Sequence, residues 1–373
     1  MDLRVSTSYE GLATAKEAAG IVQKCVHCGF CNATCPTYQL LGDELDGPRG
    51  RIYLMKSMLE GNPVSERTQL HLDRCLTCRS CESTCPSGVR YGRLLEIGRE
   101  VAEQQVQRSL KDRLVRFALR KIMTSRKWFG LLSRIGRWVK PVLPPVIAKT
   151  LPARRNVGRL PPIRHSRRML LLDGCVQPAL IPVINAAAAR VLDRAGISVV
   201  VSPEAGCCGA LSLHLGSTAE AERHIRGNID AWWPEIEKGC EAVVMTASGC
   251  GVTVREYGQL LGRDRGYAEK AARISSLTLD LSEVVAVEKP TGLPSGNSRR
   301  VAYHAPCTLQ HGQKVHGQVE ELLRRYGWQL AKVREAHLCC GSAGSYSLLQ
   351  PNIANQLLRN KLAVLQEDHP ELI

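Results

Sequence analysis

Between residues 42 and 107 the apolar positions recur at helical spacing. Ile52, Leu54, Met55, Met58 and Leu59 follow a turn punctuated by Pro48 and Gly50, and the pattern predicts a helix there, a second over 64–74 and a third over 88–107. Residues 1–20 read as a short leader. From 108 to 140 the run is both basic and amphipathic. Leu110, Leu114, Phe117, Trp128, Leu131, Leu132, Ile135, Trp138 and Val139 fall largely at i, i+3, i+4 and i+7 spacings, with Arg and Lys between them. Six prolines over 141–162 end any helix and make a semi-rigid connector. After 166 the pattern changes. RRMLLLDGC (167–175) is a buried strand ending in a cysteine, 178–196 a helix capped by Gly196, ISVVV (197–201) a second strand, and EAVVMTASGC (241–250) another that ends in a cysteine. Such alternation predicts a parallel sheet covered by helices.

At 373 residues the chain is long enough for two or three domains with their own cores. Four segments follow from the patterns: a helical domain over 1–107, the basic amphipathic helix and Pro-rich linker over 108–165, and two α/β domains over 166–298 and 299–373. No secretory signal opens the chain and no stretch reaches the roughly 18 apolar residues of a membrane span. The expected compartment is therefore the cytoplasm, where sixteen cysteines stay reduced and favour metal or redox chemistry over disulfides. The net charge of +15 is concentrated in one place. Between Arg108 and Arg168 there are 18 Lys or Arg and one acid, Asp112, whereas the rest of the chain is slightly acidic. A basic amphipathic helix suits the interface of an anionic membrane, or a partner subunit. No nucleic-acid fold accompanies it, and nucleic-acid binding is set aside.

Two copies of one twelve-residue pattern carry the clearest chemistry: CVHCGFCNATCP at 25–36 and CLTCRSCESTCP at 75–86. Cysteines at spacings of three, three and four, followed by proline, form the bacterial-ferredoxin run for [4Fe–4S] clusters, in which the fourth cysteine serves the other cluster. The expected ligands are Cys25, Cys28, Cys31 and Cys85 for one cluster, and Cys75, Cys78, Cys81 and Cys35 for the other. Pro36 and Pro86 turn the chain away from each site. Zinc knots use paired Cys-x-x-Cys elements and do not suit this pattern. His27 reads as a neighbour of the first site and not as a ligand.

A second repeat runs at an offset of 132. Cys175 matches Cys307, and Cys207-Cys208-Gly209 matches Cys339-Cys340-Gly341, with an interval of 32 in both copies. The counterpart of Cys250 would be position 382, past Ile373, so the second copy is expected to be incomplete at its C-terminal end. Vicinal thiols followed by a glycine, arriving at strand ends, suit a further metal or iron–sulfur centre or redox-active thiols. His304 and His337 sit near the second set as hydrogen-bonding neighbours. Cys240 has no counterpart and reads as structural.

CVHCGFCNATCPTYQLLGDELDGPRGRIYLMK, HLDRCLTCRSCESTCPSGVRYGRLLEIGRE, GCCGAL, ASGCG, YHAPCTLQHGQ and HLCCGSAGSYSLLQP resemble the iron–sulfur subunits of bacterial glycolate oxidase over nearly the whole chain. The C-terminal repeats are similar to the cysteine-rich CCG domains of heterodisulfide reductases, anaerobic glycerol-3-phosphate dehydrogenases and lactate-utilisation proteins. The fold class implied is α followed by α/β: a helical two-cluster ferredoxin domain, then two repeated CCG domains. The role implied is electron transfer inside an oxidoreductase complex, a glycolate dehydrogenase whose acceptor is neither NAD nor O2. The resemblance implies FAD-containing partner subunits that would oxidise glycolate to glyoxylate, or D-lactate to pyruvate, with this chain passing electrons toward a quinone or other acceptor on the cytoplasmic face of the inner membrane. The chain has no Gly-x-Gly-x-x-Gly after a strand and no pair of groups spaced to abstract a substrate proton, so no substrate site of its own is expected. The same role in a glycerol-3-phosphate or lactate dehydrogenase, or a heterodisulfide-type thiol–disulfide reductase, stands as the alternative.

Overall fold

The computed structural model describes residues 1–9, 13–140 and 156–373. Most of the expected Pro-rich connector lies outside these residues. The N-terminal unit is helical. Helices Ala13–Gln23, Pro48–Leu59, Glu66–Asp73 and Tyr91–Gln105 enclose a core that includes Val22, Ile52, Met55, Leu72, Leu94 and Leu95. The segment expected as a leader thus contributes a core helix. Its buried stripe is Ala15, Ala18, Ala19 and Val22, and alanine gives little hydrophobic contrast in a sequence. What alanine provides instead is close approach between helices.

The basic run forms two helices and not one, Leu110–Met123 and Arg126–Trp138. Each starts on a serine side chain. Ser109 Oγ accepts from the Asp112 amide (3.2 Å) and Ser125 Oγ from the Trp128 amide (3.3 Å), satisfying amides that no helical carbonyl reaches. Both helices are inverted relative to an ordinary surface helix. On the first, Asp112, Arg116, Arg120 and Thr124 face the protein, Arg116 binding Asp73 (2.8 Å) and Arg120 binding Glu220 (3.0 Å). Leu110, Leu114 and Phe117 face outward, more than half exposed. On the second, Arg126 pairs with Asp173 (2.7 Å), Ser133 is buried and Arg137 donates to the Ala179 carbonyl (2.9 Å). Trp128, Leu131, Leu132, Ile135 and Trp138 are exposed.

The α/β part opens with four parallel strands in the order β2-β1-β3-β4: β1 Arg167–Leu171, β2 Ile197–Val200, β3 Val243–Met245 and β4 Thr278–Asp280. The register pairs Arg167 with Ile197, Leu170 with Val243 and Val244 with Leu279. Val, Leu and Met fill the central strands because helices cover both faces. The predicted helix 178–196 is broken by Pro182 into Gln177–Leu180 and Val183–Arg194. Cys250 is not at a strand end. β3 stops at Met245, and Cys250 lies in the first turn of helix Ser248–Arg255. The last unit has a smaller parallel pair, β5 Arg300–Val301 and β6 Gln329–Leu330, with a bridge from Val301 to Leu372. Helices Gln318–Arg325 and Pro351–Gln366 accompany it. Among the described residues no helix is long and apolar enough to cross a membrane.

Candidate metal centres

Each ferredoxin-type run folds as a tight loop closed by one helical turn. In the first loop His27 (φ 60°) and Gly29 (φ 86°) are left-handed, and in the second Thr77 (φ 55°) and Arg79 (φ 61°) take the same places 50 residues on. Such backbone is unusual for Thr and Arg, and it persists where surroundings fix it. Arg79 is fixed by Glu256 of the first α/β unit, its Nη2 lying 2.8 Å from Oε2. After the turns Phe30–Thr34 and Ser80–Thr84 the fourth cysteines become extended, Cys35 at φ −89°, ψ 114° and Cys85 at φ −76°, ψ 113°. This carries each thiol away from its own loop. Thr84 Oγ1 meets Thr34 Oγ1 at 3.3 Å where the two turns adjoin.

Two cavities result. The first, of about 430 Å³ including its open mouth, is lined by Cys25, Cys28, Cys31 and Cys85, and Cys81 also reaches its wall. The second, of about 290 Å³, is lined by Cys35, Cys75, Cys78 and Cys81. Pro48 and Tyr91 border both, so the sites are neighbours. Burial, reinforced by the neighbouring Cys25, pushes the Cys31 thiol up to about 11, and burial raises Cys78 and Cys81 well above the ordinary thiol value. Such thiols ionise only with a compensating cation, and a coordinating metal supplies one.

All sixteen cysteines are free. The only three metal-binding side chains among the described residues whose ligand atoms lie within 4.8 Å of one another are Asp43, Asp46 and His71. No cysteine triad among those residues is that compact, whereas one tetrahedral zinc with Zn–S of about 2.3 Å draws its sulfurs to roughly 3.8 Å. A four-thiol set around a wider space fits a cluster better than a single ion. Asp46 itself is engaged by Arg51 (3.3 Å), Arg74 (2.8 Å) and His71 (3.0 Å).

The surroundings of the two sites differ. At the first, Val26 and Phe30 are 69% and 62% exposed, and His27 stands at the rim near Tyr53 with ring centroids 6.5 Å apart. At the second, none of the four cysteines is exposed, and the site is rich in donors. Cys75 Sγ accepts from the Thr77 amide (3.5 Å) and Tyr91 hydroxyl (3.7 Å), and Thr37 Oγ1 lies 3.3 Å from Cys35 Sγ. The fully buried Arg51 donates to Thr37 Oγ1 and to the His71 carbonyl, and Arg99 donates to the Cys75 carbonyl (2.8 Å). Donors and positive charge around cluster sulfurs favour the reduced state.

In the first α/β unit Cys175, Cys207-Cys208 and Cys250 follow β1, β2 and β3, at the carboxyl edge of the sheet where parallel α/β folds place their sites. The thiols form one chain of contacts, Cys175 to Cys207, Cys207 to Cys208 and Cys208 to Cys250. Asn228 holds the pair in place, donating to the Cys207 carbonyl (2.9 Å) and accepting from the Gly206 amide (2.8 Å). The Tyr257 hydroxyl donates to the Cys208 carbonyl (2.9 Å). Cys240 is packed in the core, and the charged groups around it are Arg168, Glu235, Glu241 and Lys238 rather than another thiol.

In the second unit Cys307 contacts Cys339, Cys339 contacts Cys340, and His304 takes the end of the chain against Cys340. His304 Nδ1 is buried without a hydrogen-bond partner among the described residues, whereas His337 is exposed. Cys339 and Cys307 share a buried cluster with Leu76, and Cys78 packs against it, so this set abuts the second ferredoxin-type site. Ser248 and Thr308 hydroxyls, 2.7 Å apart, tie the two thiol chains together. Sequence reasoning missed Lys361. Its amine donates to the Glu335 carbonyl (2.8 Å), its charge faces Cys307, Cys339 and Cys340, and burial holds it below the ordinary lysine value. The signal was present: Ala354, Leu357, Lys361 and Leu365 form one buried stripe, and a lysine there is anomalous.

Comparison with known proteins bears on both halves. A family model described as a 4Fe-4S dicluster domain matches residues 21–89, and one described as a cysteine-rich domain matches 169–255 and 301–373. The chain is 54% identical over 374 residues to the glycolate oxidase iron-sulfur subunit of Escherichia coli (strain K12), covering 100% of this chain and 92% of that protein. It is 31% identical over 387 residues to the probable glycolate oxidase iron-sulfur subunit of Bacillus subtilis (strain 168), covering 95% and 86%. Lactate utilization protein A of Bacillus licheniformis is 24% identical over 192 residues, 51% of this chain and 79% of that protein.

Proposed function

The chain belongs to the family of glycolate oxidase iron–sulfur subunits, and from that membership we propose that it carries electrons from FAD-binding partner subunits, which oxidise glycolate or a related 2-hydroxy acid, to an acceptor at the membrane. The observation that carries this reading is the pair of adjoining cavities, each lined by three cysteines of one loop and the fourth of the other. Cys25, Cys28, Cys31 and Cys85 would hold one [4Fe–4S] cluster, and Cys35, Cys75, Cys78 and Cys81 the other. Clusters of this kind supply one-electron carriers, which a two-electron flavin needs if it is to discharge one electron at a time.

The protein's own residues set the direction. Val26, Phe30 and Tyr53 form an exposed apolar rim at the first site and suit docking of the flavin subunit. Arg51, Tyr91 and Arg99 surround the second site with donors and favour the electron there. The thiol set at Cys307, Cys339 and Cys340, packed against Cys78, and the chain Cys175-Cys207-Cys208-Cys250 are the places for a further soft-metal or redox centre. The inverted helices Leu110–Met123 and Arg126–Trp138 present apolar side chains outward with cations beside them, the chemistry of an anionic lipid surface. This supports peripheral attachment at the cytoplasmic face of the inner membrane.

Anaerobic purification of the chain with its flavin partners tests the reading. Two cubanes require about eight iron and eight sulfide per chain, and co-purification must be with a flavoprotein that oxidises glycolate. Co-purification with a glycerol-3-phosphate or lactate flavoprotein instead would reassign the substrate and leave the electron-transfer role. A content near one metal ion per loop would overturn the cluster assignment.

A further inference from the structure

A cleft of about 400 Å³, open to solvent, lies where all four segments of the chain meet. Cys75, Leu76 and Thr77 of the second cysteine loop form one wall. Arg99 and Arg116 form a second, from the helical domain and the basic helix, while His214 and Leu215 come from the first α/β unit. Ser345, Leu349 and Gln350 close it from the second unit.

The lining suits a neutral, flat hydrogen-bond acceptor better than an anion. The guanidinium donors are already engaged: Asp73 binds Arg108 (2.7 Å) and Arg116 (2.8 Å), and Asp112 also binds Arg116 (3.1 Å). Arg99 is held by the carbonyls of Leu72 (2.9 Å) and Cys75 (2.8 Å). Leu76, Leu215 and Leu349 make the walls between these groups apolar. Polar side chains without a partner remain. The Ser345 hydroxyl and the Gln350 amide make no side-chain hydrogen bond within the described residues, and His214 Nδ1 is buried without one.

Position adds two further observations. Cys75 lines both this cleft and the second cysteine-lined cavity, so a molecule in the cleft is one side chain away from the proposed cluster. Arg116 belongs to Leu110–Met123, the helix whose outer face is apolar, so the cleft lies beneath the surface assigned to the membrane.

We propose that this cleft receives the headgroup of a membrane quinone and is where electrons leave the chain, an inference that rests on the electron-transfer reading above. The quinone accepts two electrons, one at a time from the site at Cys35, Cys75, Cys78 and Cys81, and two protons from water at the open mouth. Both ring carbonyls become hydroxyls and the quinol departs. Ser345 and Gln350 hold the carbonyl oxygens, and Leu76 and Leu349 flank the ring.

The test uses the anaerobically purified full chain and a benzoquinone with a short alkyl tail, its binding followed by titration calorimetry. Gln350→Leu removes a donor, and Leu349→Trp fills the cleft from a partly buried position on its wall. Each should weaken quinone binding at least tenfold, while iron content, vesicle association and the electron paramagnetic resonance spectrum of the dithionite-reduced clusters stay as in the parent. In the parent alone, added quinone should alter the spectrum of the cluster nearest Cys75. Equal quinone affinity in parent and both variants overturns the site. So does absence of binding to a parent complex that still passes electrons from glycolate to a soluble dye, an outcome that leaves the electron-transfer reading intact. Quinone binding in a complex that glycolate cannot reduce supports the site and sinks the wider reading instead.

Discussion

Replacing Lys111, Arg113, Lys127 and Arg134 together by Gln removes four cations that have no hydrogen bond or ion pair within the described residues. All four are exposed and stand beside the outward apolar faces of the two inverted helices. Each Lys or Arg close to an anionic bilayer contributes about 1 kcal/mol. The four together are then worth about 4 kcal/mol, or roughly a thousandfold in the partition coefficient. The parent's binding should also weaken with salt as the screening length falls from about 10 Å at 0.1 M to about 3 Å at 1 M. Arg116→Gln with Arg120→Gln is the contrasting variant. Those cations point inward to Asp73 and Glu220, so lipid affinity should hold while folding stability falls, by on the order of 2 kcal/mol for the lost charged hydrogen bond from Arg116 to Asp73. Co-sedimentation with phosphatidylglycerol and with neutral phosphatidylcholine vesicles reads the first effect, and anaerobic urea unfolding the second. If the quadruple variant pellets as the parent does, or if neutral vesicles bind equally well, the assignment of this face to lipid is wrong.

Two further outcomes follow from buried groups. Burial, with Glu256 adding repulsion, raises Glu96 from 4.5 to about 7, so the folded chain keeps a proton that the unfolded chain releases. Its contribution is therefore full below pH 4.5 and is lost as pH rises toward 7; urea midpoints should decline across that window in the parent and stay flatter in Glu96→Gln. Gly341 sits at φ 83°, and a Cβ there would lie 2.6 Å from the Ala354 carbonyl oxygen and 2.9 Å from Leu357 Cβ. Gly341→Ala should cost more than the roughly 1–2 kcal/mol of a left-handed residue alone. Gly209→Ala, whose nearest atom is 3.1 Å away, should lower the thermal unfolding midpoint less.

The gathering of the eight ferredoxin-type cysteines around two cavities was legible because each run packs four of them into eleven residues at a recognisable spacing. The inversion of the basic helices was not legible. Periodicity shows that Leu110–Met123 has an apolar and a charged face but not which one turns inward. That choice is made by Asp73 and Glu220, distant in sequence from Arg116 and Arg120. The core role of Ala13–Gln23 was hidden by the low contrast of alanine, and the place of Cys250 by a strand that stops short of it. His304 became distinct from His337 only in three dimensions, where one meets Cys340 and the other lies exposed.

The most direct test of electron transfer through this chain is an electron paramagnetic resonance spectrum of the assembled complex, taken anaerobically after addition of glycolate. Signals of reduced [4Fe–4S] clusters in this chain are the predicted result, and crossed ligation predicts which of them a fourth-ligand variant disturbs. Cys35→Ser should reproduce the altered spectrum of Cys78→Ser, and Cys85→Ser that of Cys28→Ser. A flavin that bleaches with glycolate while these clusters stay oxidised would contradict electron transfer through the chain, and a Cys35→Ser spectrum matching Cys28→Ser would contradict the crossed sites.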